Sequence, residues 1–190
     1  MTPLSGGSFG TFLSPRKEKY KEKLTDKLQF TVYKDNSHTP RGTPMYFDDI
    51  QLNTTLTLSP AVIEKEKMLD FARLYDNIPL HTDEEYARHT PFGQLIAPGV
   101  MSFMAVWAKY LEVDLFGEEL LAGKSTKIEW QKPVFAEDVL TGEVTVTALT
   151  PRNPRNGIVE ITMEVKNQHG VVVLTGVTEA IVKRRPSPEI

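Results

Sequence analysis

The chain has 190 residues, 40% apolar and 25% charged, with a formal net charge of −3 and no cysteine. That length holds one well-buried core and is short for two; the charge gives no electrostatic case for nucleic acid, and the lack of thiols excludes a disulfide scaffold and thiolate metal sites. The N-terminus lacks the charged, apolar, small-residue order of a signal peptide. The most apolar stretch, Leu95 to Leu111, contains Ser102 and Lys109 and is short for a bilayer span of ~20 residues, so a cytoplasmic protein with no membrane segment is expected.

Residues 1–45 read as a partly flexible N-terminal extension. Gly6-Gly7-Ser8 and scattered prolines open it. The dense mixture of both charges from Arg16 to Lys27 fits a solvated helix or arm better than a phosphate-binding patch. Gln29 to Tyr33 has the length of a short strand, and Asp35 to Pro44 reads as a loop carrying a surface histidine, His38. The main domain is expected over residues 46–185, with 186–190 as a tail and fraying from Arg184 onward.

Thr54 to Leu58 alternates as a half-buried strand. Ser59-Pro60 then has the form of a helix start, serine as N-cap and proline at the first helical position. Met68, Phe71, Ala72 and Tyr75 recur at helical spacing and give one apolar face. This helix delivers the chain to Asp76, and Pro79 prevents it from continuing. Thr82-x-x-Glu85 has the capping-box pattern, which predicts a second short helix immediately after His81. From Gly99 to Leu111 the chain is apolar almost without interruption, and a helix apolar on nearly all sides must be enclosed on nearly all sides. Strands follow. Lys127 to Val134 alternates through Ile128 and Trp130, and Val139 to Ala148 through Leu140, Val144 and Val146. Val159, Ile161, Met163 and Val165 alternate most regularly, Asn167 to Gly170 is a turn, and Val171 to Val182 is the last strand. One central helix wrapped by about five antiparallel strands is an α+β arrangement of the hotdog type.

Asp76 and His81 are the leading chemical groups. They stand five residues apart with Pro79 stiffening the link, and a carboxylate and an imidazole are well suited to hold and activate water at neutral pH. Gly99, eighteen residues after His81, opens the apolar helix, whose free N–H groups and positive dipole end suit a developing oxyanion. Structural alternatives exist for each: a packed loop histidine, a helix-terminal carboxylate, and a glycine needed for close packing. His89 and His169 read as surface residues, and Trp107 and Trp130 as core or interface residues. The four histidines are too scattered for a metal site, and Asp83-Glu84-Glu85 suits the N-terminal half of a helix dipole. No metal and no cofactor is expected.

Phe71-Ala72-Arg73, Asp76-x-x-Pro79-x-His81-Thr82-Asp83 and Phe92-Gly93-x-Leu95-Ile96-Ala97-x-Gly99 together resemble the MaoC-like dehydratases, which include the (R)-specific enoyl-CoA hydratases. The similarity runs from about Met45 to Arg185. It implies a hotdog fold and the addition of water to, or its removal from, an acyl-CoA thioester. It further implies that Asp76 and His81 hold the attacking water, and that the Gly99 amide binds the thioester oxygen. Ile78, Phe92, Pro98 and Val100 are implied around the substrate, in a homodimer or dimer of dimers with acyl-CoA at the interface. Three positions depart from the family pattern: Ile78 stands where many members have Asn, Pro98 where they often have His or Ser, and Trp107 where some carry a serine. A thioesterase and a non-catalytic acyl-CoA-binding module on the same fold are the competing functional readings.

Overall fold

The sheet takes its shape from strands that bury every second residue. In a computed structural model describing residues 45–186, the strands are β1 (Thr55–Thr57), β2 (Ala61–Val62), β3 (Leu120–Trp130), β4 (Val139–Asn153), β5 (Asn156–Lys166) and β6 (Val172–Lys183). They form an antiparallel sheet in the order β1-β4-β5-β6-β3, with β2 pairing on β4. Val159, Ile161, Met163 and Val165 of β5 all face the core. Opposite them lie Val144 and Val146 of β4, and Leu174 and Ala180 of β6. Each of the valine, isoleucine, leucine and methionine side chains among them contributes about 1.5–3 kcal/mol on leaving water. A register shift between Val146 and Ala148 interrupts the β4–β5 ladder, the kind of bulge that bends a strand.

The helices are α1 (Lys65–Tyr75), α2 (Pro79–Thr82), α3 (Glu84–Arg88) and α4 (Gly99–Val113), with single 3-10 turns at Phe47–Asp49 and Gly117–Glu119. α4 lies on the sheet through Ser102, Phe103, Val106 and Tyr110. It can come that close because two strand positions lack side chains: a Cβ at Gly142 would lie 2.6 Å from Val106 Cγ1, and one at Gly176 would lie 3.1 Å from the Phe103 ring. Burial also pushes the Tyr110 phenol well above its ordinary pKa.

Several sequence expectations change. Among the described residues α4 is covered on one side only: Val100, Met104, Leu111 and Val113 on the helix are exposed. The curved sheet packs on the other side of α4, and among the described residues it has six strands where about five were expected. β3 begins seven residues before Lys127 and ends at Trp130; among the described residues it pairs with β6 alone, and only Ile128 along it is half-buried. Val134 is buried beyond the strand, its carbonyl accepting from the Ala97 N–H at 2.7 Å.

Ser59-Pro60 does not start a helix. The chain stays extended because its groups are met by β4: the Leu58 N–H donates to the Gly142 carbonyl at 2.8 Å and the Ile63 N–H to the Asp138 carbonyl at 2.9 Å, burying Ala61 and Ile63. α1 starts only after Glu64 and buries Met68 and Ala72, while Tyr75 is exposed. Arg184 and Arg185 are held rather than frayed: Arg184 pairs with Asp48 at 2.7 Å and Arg185 with Asp49 at 2.9 Å. The Arg184 guanidinium holds the Asp48 carboxyl below its ordinary pKa. The expectations for the extension (the mixed-charge stretch, the Gln29–Tyr33 strand, and the loop with His38) lie outside the described residues, as do residues 187–190. Among the described residues no helix is long and apolar enough to cross a membrane.

Candidate active site

The polar center of the molecule is built by a sharp change of direction after α1. Asp76 ends α1 as its C-cap; its N–H still donates to the Ala72 carbonyl, and its own carbonyl accepts from the Ile78 N–H, both at 2.9 Å. Ile78 is extended, as a residue before proline must be, and Pro79 then opens the single turn α2 at its first position. That turn carries His81, which sequence reasoning placed in a loop. The next helix is capped by Asp83, whose carboxylate accepts from the Glu85 and Tyr86 N–H groups at 2.9 and 3.0 Å. Thr82 is not the cap: its hydroxyl donates back to the Ile78 carbonyl at 2.9 Å.

His81 is 6% exposed. Its Nδ1 lies 2.8 Å from the Ile96 carbonyl oxygen. A carbonyl can only accept, so Nδ1 carries the proton and donates. The proton that His81 can gain or lose is thereby confined to Nε2, which lies 3.4 Å from Asp76 Oδ2. The Asp76 side chain is 43% exposed, so one member of the pair is fixed in the protein and the other meets solvent.

Both residues line a cavity of about 470 Å³ whose walls also include Gly99, Ser102, Trp130 and Lys132. Gly99 opens α4, whose first N–H groups have no partner within the helix, and the N-cap Pro98 offers them no side-chain bond. The α4 N-terminus, with its positive dipole end, thus stands in the same wall as the Asp76–His81 pair. Gly99 also has a packing reason to be glycine, since a Cβ there would lie 2.5 Å from Nε1 and 2.6 Å from Cε2 of Trp130.

Of the residues expected around a substrate, Phe92 and Val100 line the cavity with the pair, whereas Ile78 and Pro98 are outside its walls. Ile78 is exposed and acts through its carbonyl, which accepts from the His81 N–H at 3.0 Å. Trp107 is also outside the lining, packed between Phe103 and Tyr110 with ring centroids 5.6 and 4.9 Å away. His89 bonds its own helix at the Glu85 carbonyl. Sequence reasoning missed Ser102, Gln131 and Lys132 as wall residues. Ser102 was within reach, because it follows Gly99 by one helical turn. A smaller hollow of about 200 Å³ between α1 and α3 is lined by charges already used on one another, Lys65 with Glu84 at 2.8 Å and Arg88 with Glu84 at 3.9 Å. Among the described residues no group of three or more His, Asp or Glu side chains is placed to hold a metal ion.

Residues 54–176 match the family described as FAS1-like, dehydratase domain region. The chain belongs to the MaoC-like dehydratase family. Within it, the chain is 34% identical over 115 residues to the (R)-specific enoyl-CoA hydratase of Aeromonas caviae, covering 60% of this chain and 80% of that one. It is 26% identical over 141 residues to the uncharacterized protein YdeM of Bacillus subtilis, covering 74% of this chain and all of the relative. Among solved structures it resembles the MaoC-like dehydratase from Rhodospirillum rubrum, with TM-score 0.66, 30% identity, and coverage of 75% of this chain and 99% of that one. The fold is the hotdog of these dehydratases, and the hydratase relatives support a hydro-lyase class for this MaoC-like protein.

The contact between Gly99 and Trp130 yields a stability prediction. Gly99→Ala should cost roughly 1–2 kcal/mol through overpacking, and most of that loss should vanish in a Trp130→Ala background, as read by urea denaturation of the four proteins. Additive losses would show that the indole is not what excludes a side chain at Gly99.

Proposed function

We propose that this MaoC-like protein adds water to, and removes it from, 2-enoyl-CoA-type thioesters, using Asp76 and His81 to handle the water and the Gly99 amide to receive the thioester oxygen. The observation that carries this reading is that the Asp76–His81 pair, 3.4 Å apart, faces the same cavity as the open N-terminal end of α4. The hydratase relatives bear the same class of activity in their names.

In the hydration direction, a water held between the Asp76 carboxylate and His81 Nε2 gives up a proton to the pair as its oxygen bonds to C3. The C2–C3 π electrons move toward the thioester, and the enolate-like oxygen is met by the Gly99 N–H at the positive end of α4. The pair returns a proton to C2, so one water molecule is consumed and the site ends as it began. Dehydration is the reverse. His81 depends on its Nδ1–H bond to Ile96 for the tautomer that leaves Nε2 free to exchange a proton. Phe92 and Val100 form the apolar wall for the acyl group.

Asp76→Asn retains shape and removes the carboxylate, and His81→Ala removes the imidazole. Each should lower kcat by ~10²-fold or more, a barrier rise of roughly 3 kcal/mol. The double variant should lose little beyond the worse single one, because groups acting as a unit are non-additive. Loss of enoyl-thioester absorbance with a short trans-2-enoyl-CoA measures this, with circular dichroism as the folding control. Wild-type rates in both single variants would place the chemistry elsewhere.

We further propose that the protein works as a homodimer or a dimer of dimers. Met104 and Leu111 on α4 and Leu120, Leu121 and Trp130 on β3 are large apolar side chains left exposed, and among the described residues β3 is an end strand that pairs only with β6. Light scattering at micromolar concentration should give a mass at least twice that of one chain, and Leu121→Lys should shift it toward the monomer. A sharp monomer mass for the wild type would contradict the assembly.

A further inference from the structure

The Asp76–His81 cavity carries one cation that neither the fold nor the proposed water chemistry uses. Lys132 is in its wall, and its side chain makes no ion pair or hydrogen bond among the described residues. Each of the other seven described lysines does make an ion pair, at 2.5 to 3.1 Å. The difference is not one of available acids alone. Among the described residues Asp76 is the sole acidic one in the same wall, and it is turned to His81 rather than to Lys132.

The root of Lys132 is nevertheless well fixed. Where the chain leaves β3, the N–H groups of Gln131 and Lys132 both donate to the Val173 carbonyl, at 2.8 and 3.1 Å, and Pro133 follows with its fixed φ. A firmly seated backbone thus carries an exposed, uncompensated ammonium beside walls made largely of apolar side chains and a helix N-terminus. On a chain of net charge −3, an anionic ligand is repelled overall, and a local cation at the site is what draws and orients it.

We propose that Lys132 is the anchor for an oxyanion group of the substrate, either a phosphate of the thioester's carrier or a carboxylate at the far end of the acyl chain. This rests on the thioester reading of the cavity. It adds that recognition is charge-based at one end, with Lys132 setting affinity for the anion while the pair and the Gly99 amide act on the reacting atoms.

The test compares wild type, Lys132→Met and Lys132→Arg on three thioesters: crotonyl-CoA, the phosphate-free crotonyl N-acetylcysteamine thioester, and an N-acetylcysteamine thioester of a 2-enoic acid ending in a carboxylate. If the anion is phosphate, Lys132→Met should lower kcat/KM for crotonyl-CoA about tenfold, mainly through KM, and Lys132→Arg should recover most of it. The loss should shrink to less than twofold on the phosphate-free crotonyl thioester, and high salt should narrow the gap between wild type and variant. If the anion is a carboxylate, the large loss should appear on the carboxylated thioester and be absent with the other two. Equal losses on all three, or none on any, would overturn the anchor. Should the wild type hydrate none of them, the hydratase reading fails by itself. Calorimetric binding of coenzyme A and of the carboxylated N-acetylcysteamine thioester then decides the anchor: affinity for one of the two about tenfold weaker in Lys132→Met and restored in Lys132→Arg supports it, whereas no binding of either, or equal binding of both by all three proteins, overturns it.

Discussion

The hydrogen bond from His81 Nδ1 to the Ile96 carbonyl, 2.8 Å long and partly buried, is the interaction on which the site depends. It fastens the α2 turn to the segment that pairs Ile96 with Phe135 and leads directly into α4. Without it the imidazole would have two exchangeable nitrogens and no fixed plane. With it, Nε2 is the ring nitrogen left facing Asp76. A short, weakly stable turn of four residues is thereby held by tertiary contacts rather than by its own helicity, as the high cost of helix nucleation requires.

The other half of the site is held by packing. α4 is seated on the sheet where Gly142 and Gly176 leave room for Val106 and Phe103, and this fixes where its N-terminus emerges. The 131–138 connection closes the cavity from the other side and is itself pinned by the buried Asp138, whose carboxylate accepts from the Phe135 N–H and the Gln168 amide, each at 2.8 Å. A carboxylate used this way is structural, whereas the Asp76 side chain is left half-exposed beside His81.

Much of this was legible in the sequence. The strict alternation of β5 gave its inward face directly, since a strand with one buried side has a period of two. The spacing of Asp76, Pro79 and His81 brought the pair together through a turn too short to vary. What failed were local signals overruled by tertiary bonds. Ser59-Pro60 has the chemistry of a helix start, but β4 offered the extended chain its hydrogen bonds, and Ile63 was buried by staying extended. Thr82 and Asp83 are both good caps, and one residue of register separated the expected cap from the real one. β3 resisted reading for a different reason. Its side chains are exposed nearly throughout, so no buried face imposes alternation between Leu120 and Thr126. The uniform apolarity of α4 implies enclosure, yet periodicity cannot tell a face covered by the chain itself from one left outward. Lys132 carried no signal at all, because a lone lysine after a strand is ordinary until its neighbors in space are known.

In the proposed reaction, water adds across the C2–C3 double bond of a thioester that otherwise stays intact. Its most direct measurement is the product formed from a short trans-2-enoyl-CoA in D₂O, followed by NMR and by assay for free thiol. The account predicts a 3-hydroxyacyl-CoA with the hydroxyl at C3, one deuteron at C2 and no free coenzyme A. Release of free thiol from an unhydrated acyl chain would contradict it and indicate attack at the thioester carbon instead.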